Sequence, residues 1–323
     1  MRKYSIILGN LGNTCDRFCR GYKENPSSLD MLRQAGKIEN VSGIELVGTW
    51  DIRPDNAGEM KNALDDMGLE CVSIIPDIFT DKIWRFGSIS AKDASVRKKA
   101  VDYLRSICEI SRKMSCKTVN IWPGQDGYDY LFQGDYLTER GLMTENIAVL
   151  AAEFPDLKFA LEYKAKEPRT HSYLARMADT LLVCIQTGYD NVGVTIDTGH
   201  AFIGGENISE SVLMAKMTGN RLFHMHFNDN YKQWDDDMIA GSIHTIEYIE
   251  LLYWLDECGY EGWLSMDQYP YREDAAGAIS ESISWLKTFD SMLNSGREKL
   301  RAALKGNNAV TISSTLREII SRA

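Results

Sequence analysis

Phe159-Ala-Leu-Glu162-Tyr-Lys164-Ala-Lys-Glu167-Pro168-Arg169 opens as an apolar strand and closes on charge. In an extended chain Glu162 and Lys164 point to the same side. Glu167-Pro168 then stops the strand. Three later strand patterns end in the same way. Val192-Gly-Val-Thr-Ile-Asp197 closes on an acid and is followed by His200; Leu222-Phe-His-Met-His226 closes on imidazole; Trp263-Leu-Ser-Met-Asp267 closes on an acid. A parallel α/β protein places its chemistry where strands end and loops begin. Glu162, Asp197, His226 and Asp267 together make a hard-oxygen and imidazole donor set. That set suits a divalent cation, manganese first, with magnesium or cobalt as alternatives. His224 points the same way as His226 but lies deeper along the strand, as a buried or supporting group.

Outward from this stretch, strand patterns fall at 4–8, 42–48, 71–75 and 117–122, ahead of the four already quoted. Helical patterns alternate with them over 26–35, 54–67, 93–114, 139–154, 172–188, 209–218, 245–258 and 276–293. The strands are short and rich in Val, Ile and Leu, as when both faces are covered. Eight βα units in one chain predict an α/β fold of the (β/α)₈ TIM-barrel type. A doubly wound open sheet is the alternative. It spreads successive strand ends along a line, whereas a closed barrel points them at one axis, as four consecutive ligands require. The barrel is expected over 1–294, with 295–323 as a C-terminal helical tail that either packs on a neighbouring subunit or stands as a solvated extra helix.

The chain has 323 residues, 44% hydrophobic and 25% charged, with a net charge of −10. That balance argues against nucleic-acid and anionic-membrane partners, which call for basic surface. Seven scattered cysteines fit a reducing compartment rather than a disulfide framework. Cys15 and Cys19 are spaced to share a helix face, but no second pair of ligands accompanies them. The N-terminal apolar run is too short for a signal-peptide core, and no run approaches a membrane span. A cytoplasmic protein is the expectation.

Further groups surround the ligand set. Trp122-Pro-Gly-Gln125-Asp126-Gly-Tyr128 supplies an aromatic wall and amides, the usual means of holding a sugar. Trp84, Phe86, Trp234, Tyr269 and Tyr271 fall in loops on the same side. Asn228-Asp229-Asn230 and Asp235-Asp236-Asp237 follow the His226 strand, and such acids beside a metal cluster can hold a second ion. A lysine next to a substrate carbonyl would stabilise developing negative charge, and Lys164 is spaced for that role.

These motifs resemble the xylose-isomerase-like barrel superfamily of sugar isomerases and epimerases. Glu162-Tyr-Lys164-x-x-Glu167-Pro168-Arg169 is similar to the Glu-Pro-Lys-Pro-Asn-Glu-Pro-Arg stretch of xylose isomerase. Trp122-Pro-Gly-Gln-Asp-Gly resembles that family's Trp-Gly-Gly-Arg-Glu-Gly, and Leu222-Phe-His-x-His226-x-Asn228 resembles its Leu-Phe-His-Ile-Asp-Leu-Asn. The resemblance implies Glu162, Asp197, His226 and Asp267 as ligands of a primary metal. It implies Lys164 as the lysine on the carbonyl side, His200 as a substrate or second-metal contact, and Asp235 and Asp237 in a second-metal loop. Taken with the loop aromatics and amides, the expected catalytic groups are Glu162, Lys164 and Asp267, with His200, Trp122, Gln125, Asp235, Asp237 and Trp84 around the substrate. Gly48-Thr-Trp50-Asp51 lacks the histidine that assists ring opening in xylose isomerase, which disfavours xylose itself. Asp267 stands where ketose epimerases carry Glu, and Lys164 is an isomerase feature.

The expected activity is therefore interconversion of aldose and ketose, or of ketose epimers, by hydrogen transfer next to a carbonyl. The alternative is the catalytic subunit of a C-glycoside deglycosidase, a lyase that takes a proton beside the keto group of a 3-oxo-glycoside. Such enzymes also resemble this superfamily and carry a small second subunit. The expected partner is a small sugar or sugar derivative, in a homo-oligomer. An abasic-site endonuclease shares the barrel, but five histidines and a charge of −10 disfavour it. A non-catalytic sugar-binding barrel would have lost the ligands.

Overall fold

The computed structural model describes residues 2–15, 18–270 and 272–321. Eight parallel strands close into a barrel in strict chain order. They are β1 Lys3–Ile7, β2 Val41–Val47, β3 Glu70–Ile75, β4 Thr118–Ile121, β5 Lys158–Glu162, β6 Val192–Asp197, β7 Leu222–Phe227 and β8 Trp263–Met266. β8 pairs back onto β1, with Ser5 beside Ser265, which closes the cylinder. The open-sheet alternative is excluded.

The helices are α1 Ser28–Ala35, α2 Ala57–Met67, α3 Ala94–Lys113, α4 Tyr136–Glu153, α5 Met177–Thr187, α6 Thr198–Ile203, α7 Ile208–Met217, α8 Thr245–Glu257, α9 Ala275–Lys305 and α10 Ala309–Ile320. Local chemistry sets their starts. Ser27 caps α1 through the Asp30 amide, Asp93 caps α3, and Asp274 caps α9. On α3 the apolar stripe Val101, Leu104, Cys108 turns inward at helical spacing.

Strand alternation divides the interior. On β2, Ile44 and Leu46 join the main core under the helices, so Glu45 and Val47 face the barrel axis. Ile7, Val47 and Ile75, the last residues of β1 to β3, form a separate small apolar cluster with Phe79. The mouth is thus apolar on the β1–β3 side and ionic on the β5–β8 side.

Three elements differ from the pattern read in the sequence. α5 begins at Met177 rather than near 172, because His171–Ser172 pairs antiparallel with Gly127–Tyr128 and straps the loops after β5 and β4 together. α6 is an extra short helix, started where Asp197 Oδ1 accepts from the His200 amide at 2.8 Å. The line drawn at 294/295 falls inside α9, which is unbroken for 31 residues. α10 folds back on α9 within the same chain. Ile319 is buried where Gly296 has no side chain, and a Cβ there would come within 2.3 Å of Ile319 Cγ1. Among the described residues no helix is long and apolar enough to cross a membrane.

Candidate metal centre

Glu162 and Asp197 end β5 and β6, His226 lies next to the end of β7, and Asp267 follows β8. Closure of the barrel turns all four toward one point. One donor atom of each lies within 4.8 Å of the others. His226 Nδ1 is 3.5 Å from Glu162 Oε1 and 3.3 Å from Asp267 Oδ2. That nitrogen is buried and has no hydrogen-bond partner, which costs free energy unless something binds it.

Two of the carboxyls carry the same strain, whereas Glu162, despite its burial, is held below its ordinary value by His226 and His200. The Asp197 carboxyl is pushed up to about 7 by burial and by Asp267, Asp235 and Glu162, which together outweigh His200. Burial also raises Asp267, against the pull of His226. Acids crowded in a dry site cannot all ionise without a cation among them. Three carboxylates, one orphaned imidazole nitrogen and their close spacing fit a divalent ion.

Neighbouring side chains hold these four candidate ligands in place. Asn120 Nδ2 donates to Glu162 Oε2 at 2.7 Å, and Thr195 Oγ1 donates to Asn120 Oδ1 at 2.5 Å, which leaves Glu162 Oε1 facing the cluster. Asn228 Nδ2 donates to Asp197 Oδ2 at 2.8 Å. Gly199 permits that approach, since a Cβ would meet Asn228 Oδ1 at 2.0 Å. His226 Nε2 faces Glu45 Oε2 at 3.3 Å, and His224 Nε2 faces Glu45 Oε1 at 2.8 Å.

Above the ligands opens a cleft of about 210 Å³. Its floor carries Glu162 and Asp267, and its apolar side carries Ile7, Val47 and Ile75. Trp50, Phe79 and Trp122 form an aromatic wall, with Phe79 and Trp122 ring centres 4.5 Å apart. Lys164 Nζ lies 5.3 Å over the Trp122 ring and 2.8 Å from both Glu167 and Asp235. Burial alone would lower the pKa of that ammonium. Asp235, Glu167 and Asp237 outweigh it and hold the pKa above the ordinary value, so the group stays cationic. His200 Nε2 lies 3.1 Å from Asp235 and its Nδ1 lies 3.3 Å from Glu162 Oε1. Burial works against the His200 imidazolium, but Asp197 and Asp235 raise its pKa to about 9.

The structure therefore brings Glu162, Lys164, Asp197, His200, His226, Asp235, Asp237, Asp267 and Trp122 to one place. It does not bring Gln125 or Trp84 there. Gln125 donates to the Phe79 carbonyl at 2.9 Å and braces the loop behind the aromatic wall. Trp84 ends a 3-10 turn capped by Asp81, which turns the indole into the hydrophobic core. Phe86 and Trp234 are exposed and do not line the cleft, whereas Tyr269 does. Tyr271 lies outside the described residues. Cys15 and Cys19 are not on a helix. In the acid-rich loop, Asp229 holds the His244 ring and the start of α8, with Nδ1 at 2.6 Å, leaving Asp235 and Asp237 for the cleft. Glu45 and Asn120 are not singled out by the sequence, and Trp50 and Phe79 are not marked by it as lining the cleft. An acid or amide inside an otherwise apolar strand was the one available signal for the first two.

Residues 32–289 match the family described as Xylose isomerase-like TIM barrel. A xylose isomerase of Thermus thermophilus is 26% identical over 237 residues, which make up 71% of this chain and 61% of that protein. The chain thus spans about three fifths of that relative's length. Among solved structures, a D-tagatose 3-epimerase-like protein superposes with a TM-score of 0.70 at 21% identity, over 89% of this chain and 98% of the other. The 3-keto-D-glucoside 4-epimerase YcjR of E. coli superposes at 0.68 with 18% identity, over 89% and 100%. At such identities the two likenesses speak to the fold.

Proposed function

The chain belongs to the xylose isomerase-like TIM barrel family, and from that premise we propose that it is a divalent-metal-dependent sugar isomerase or epimerase. The observation that carries this reading is the convergence of Glu162, Asp197, His226 Nδ1 and Asp267 within 4.8 Å, with a partnerless buried nitrogen among them. When bound there, a divalent ion would polarise a substrate carbonyl and stabilise negative charge developing on its oxygen. The donor set suits manganese, with magnesium or cobalt able to replace it.

The chain's own groups would do the rest. Lys164 is held cationic, so it acts as a charge beside the carbonyl oxygen and not as a base. Glu162 and Asp267 rise from β5 and β8, two non-adjacent strands of the barrel, and both reach the cleft floor. Each can take or return a proton at a carbon held between them. Trp122, Phe79 and Trp50 would stack on the apolar face of a sugar, while His200 and Asp235 bond its hydroxyls. The isomerase direction is favoured by Lys164. Apolar side chains exposed on α5 and α7, including Leu182, Ile185 and Met217, support a homo-oligomer.

The deglycosidase reading is favoured by one feature. The cleft of about 210 Å³ has room for roughly one sugar ring, and Trp50 extends at its rim, 44% exposed, where an aromatic aglycone could stack.

Metal analysis followed by incubation with manganese in D₂O tests both. The panel holds free aldoses, free ketoses and one 3-keto glycoside. Deuterium entering a free sugar supports proton-transfer isomerisation or epimerisation, and conversion without label supports a hydride shift. Reaction of the keto glycoside alone supports the deglycosidase. Protein that binds no metal and converts nothing overturns the proposal.

A further inference from the structure

Glu45 lies in the middle of β2, fully buried on the barrel axis beneath the ligand cluster. A buried carboxylate is costly unless its oxygens are satisfied. Here four donors surround it: His224 Nε2 at 2.8 Å, His226 Nε2 at 3.3 Å, and the hydroxyls of Ser73 and Ser265. The two histidines sit on β7 and Glu45 on β2, strands that are not neighbours, so the contacts cross the interior. For packing alone an apolar side chain would serve better, since replacing a buried polar network by well-packed apolar groups is often neutral or stabilising.

The arrangement has a direction. A neutral imidazole protonated on Nε2 presents a lone pair on Nδ1. His226 Nε2 points down to Glu45, and its Nδ1 points up between Glu162 Oε1 and Asp267 Oδ2, at 3.5 and 3.3 Å. His224 occupies the other Glu45 oxygen and keeps the carboxylate from turning away. Its ring stands edge-on to that of His226, at 87° with centres 5.0 Å apart.

We infer that Glu45 is a positioning residue of the metal centre, which accepts a hydrogen bond from the Nε2–H of His226 and thereby presents Nδ1 to the cation. This rests on the metal reading above and assigns the group that makes an imidazole a usable ligand there. Glu45, His224 and His226 also lie within 4.8 Å of one another. Each of the facing atoms already has a hydrogen-bond partner, so this trio supports the site above and is not itself a second ion site.

The test uses the full chain, stripped with chelator, in wild-type, Glu45→Gln and Glu45→Asp forms. Calorimetric titration with Mn²⁺ should give one site, weakened about 10–100-fold in Glu45→Gln, as loss of a supporting group typically does. Glu45→Asp, which keeps the charge, should recover part of the affinity. Nitrogen-15 spectra of histidine-labelled protein supply the readout that packing would not move. Wild-type His226 should hold a slowly exchanging proton on Nε2 with and without Zn²⁺, and that protection should be lost in Glu45→Gln.

Wild-type Nε2 without a proton would overturn the inference, and so would Glu45→Gln binding Mn²⁺ within twofold of wild type. A second ion bound in wild type and lost in Glu45→Gln would overturn it too. If Glu45→Gln fails to fold, the wild-type spectrum decides alone. Wild-type protein that binds no ion refutes the proposed function itself, a result separable from the others because it appears before any variant is compared.

Discussion

Replacing Lys164 by Met separates the lysine's role from that of the metal ligands. Its Nζ lies 2.8 Å from Asp235 Oδ2 and 2.8 Å from Glu167 Oε2, and the side chain is 8% exposed. At an effective dielectric of about 20, a unit pair at that separation attracts by roughly 6 kcal/mol before desolvation. Breaking a buried pair typically destabilises by about 3–5 kcal/mol. Asp235 keeps His200 Nε2 at 3.1 Å, and Met occupies a similar volume, so the loss should fall at the lower end, about 3 kcal/mol. Losing one charge aimed at a developing oxyanion should lower kcat about 10²–10³-fold, or about 2.7–4 kcal/mol. None of the four ligand atoms bonds to Lys164, so Mn²⁺ affinity should hold within a few-fold. The assays are turnover of the substrate found in the D₂O panel, Mn²⁺ calorimetry and denaturant melts on the same preparations. A Lys164→Met protein with kcat within twofold of wild type would remove the lysine from the mechanism. Loss of metal together with activity would mean that the ammonium supports the ligand cluster instead.

Glu162→Gln and Asp267→Asn should each lose bound Mn²⁺ and activity together, measured by metal analysis after dialysis; retention of a full equivalent would remove that residue from the ligand set. Mn²⁺ at about 100-fold over its Kd should stabilise the wild-type chain by about 2.7 kcal/mol, read as a shifted melt that the Asp267→Asn protein does not show. Trp84→Ala should destabilise by about 3–5 kcal/mol as a core deletion while leaving Mn²⁺ affinity unchanged, because the indole is in the core and not the cleft. Ile319→Ala should lose about 2 kcal/mol locally and speed amide exchange through Ala309–Ile320, leaving metal binding intact.

Much of the barrel, and the strand-end donors that it gathers, could be read from the chain for a local reason. A residue's place at the end of a βα unit is a matter of sequence order and hydrophobic period, so Glu162, Asp197, His226 and Asp267 announce themselves as the last polar residue of four apolar runs. Lys164 follows from strand alternation in the same way. Where function depends on which way a loop turns, that information runs out. Trp84 and Trp122 look alike as loop aromatics. Only the 3-10 turn at Lys82–Trp84 sends one into the core, while the end of β4 sends the other over the cleft.

Sequence alone determined the alternation, the strand-end donors and the acidic, histidine-poor character of the chain. Closure decided the remainder. Glu45 and His226 are 181 residues apart, and no local period relates them; they meet because β8 pairs back onto β1 and folds a line of strands into a ring. The same closure isolates His226 Nδ1 from water, crowds three carboxylates around it and faces them with the apolar ends of β1 to β3. Each of those contacts joins residues from different strands across a shared interior, so tertiary structure decides them, and burial gives them their chemical force.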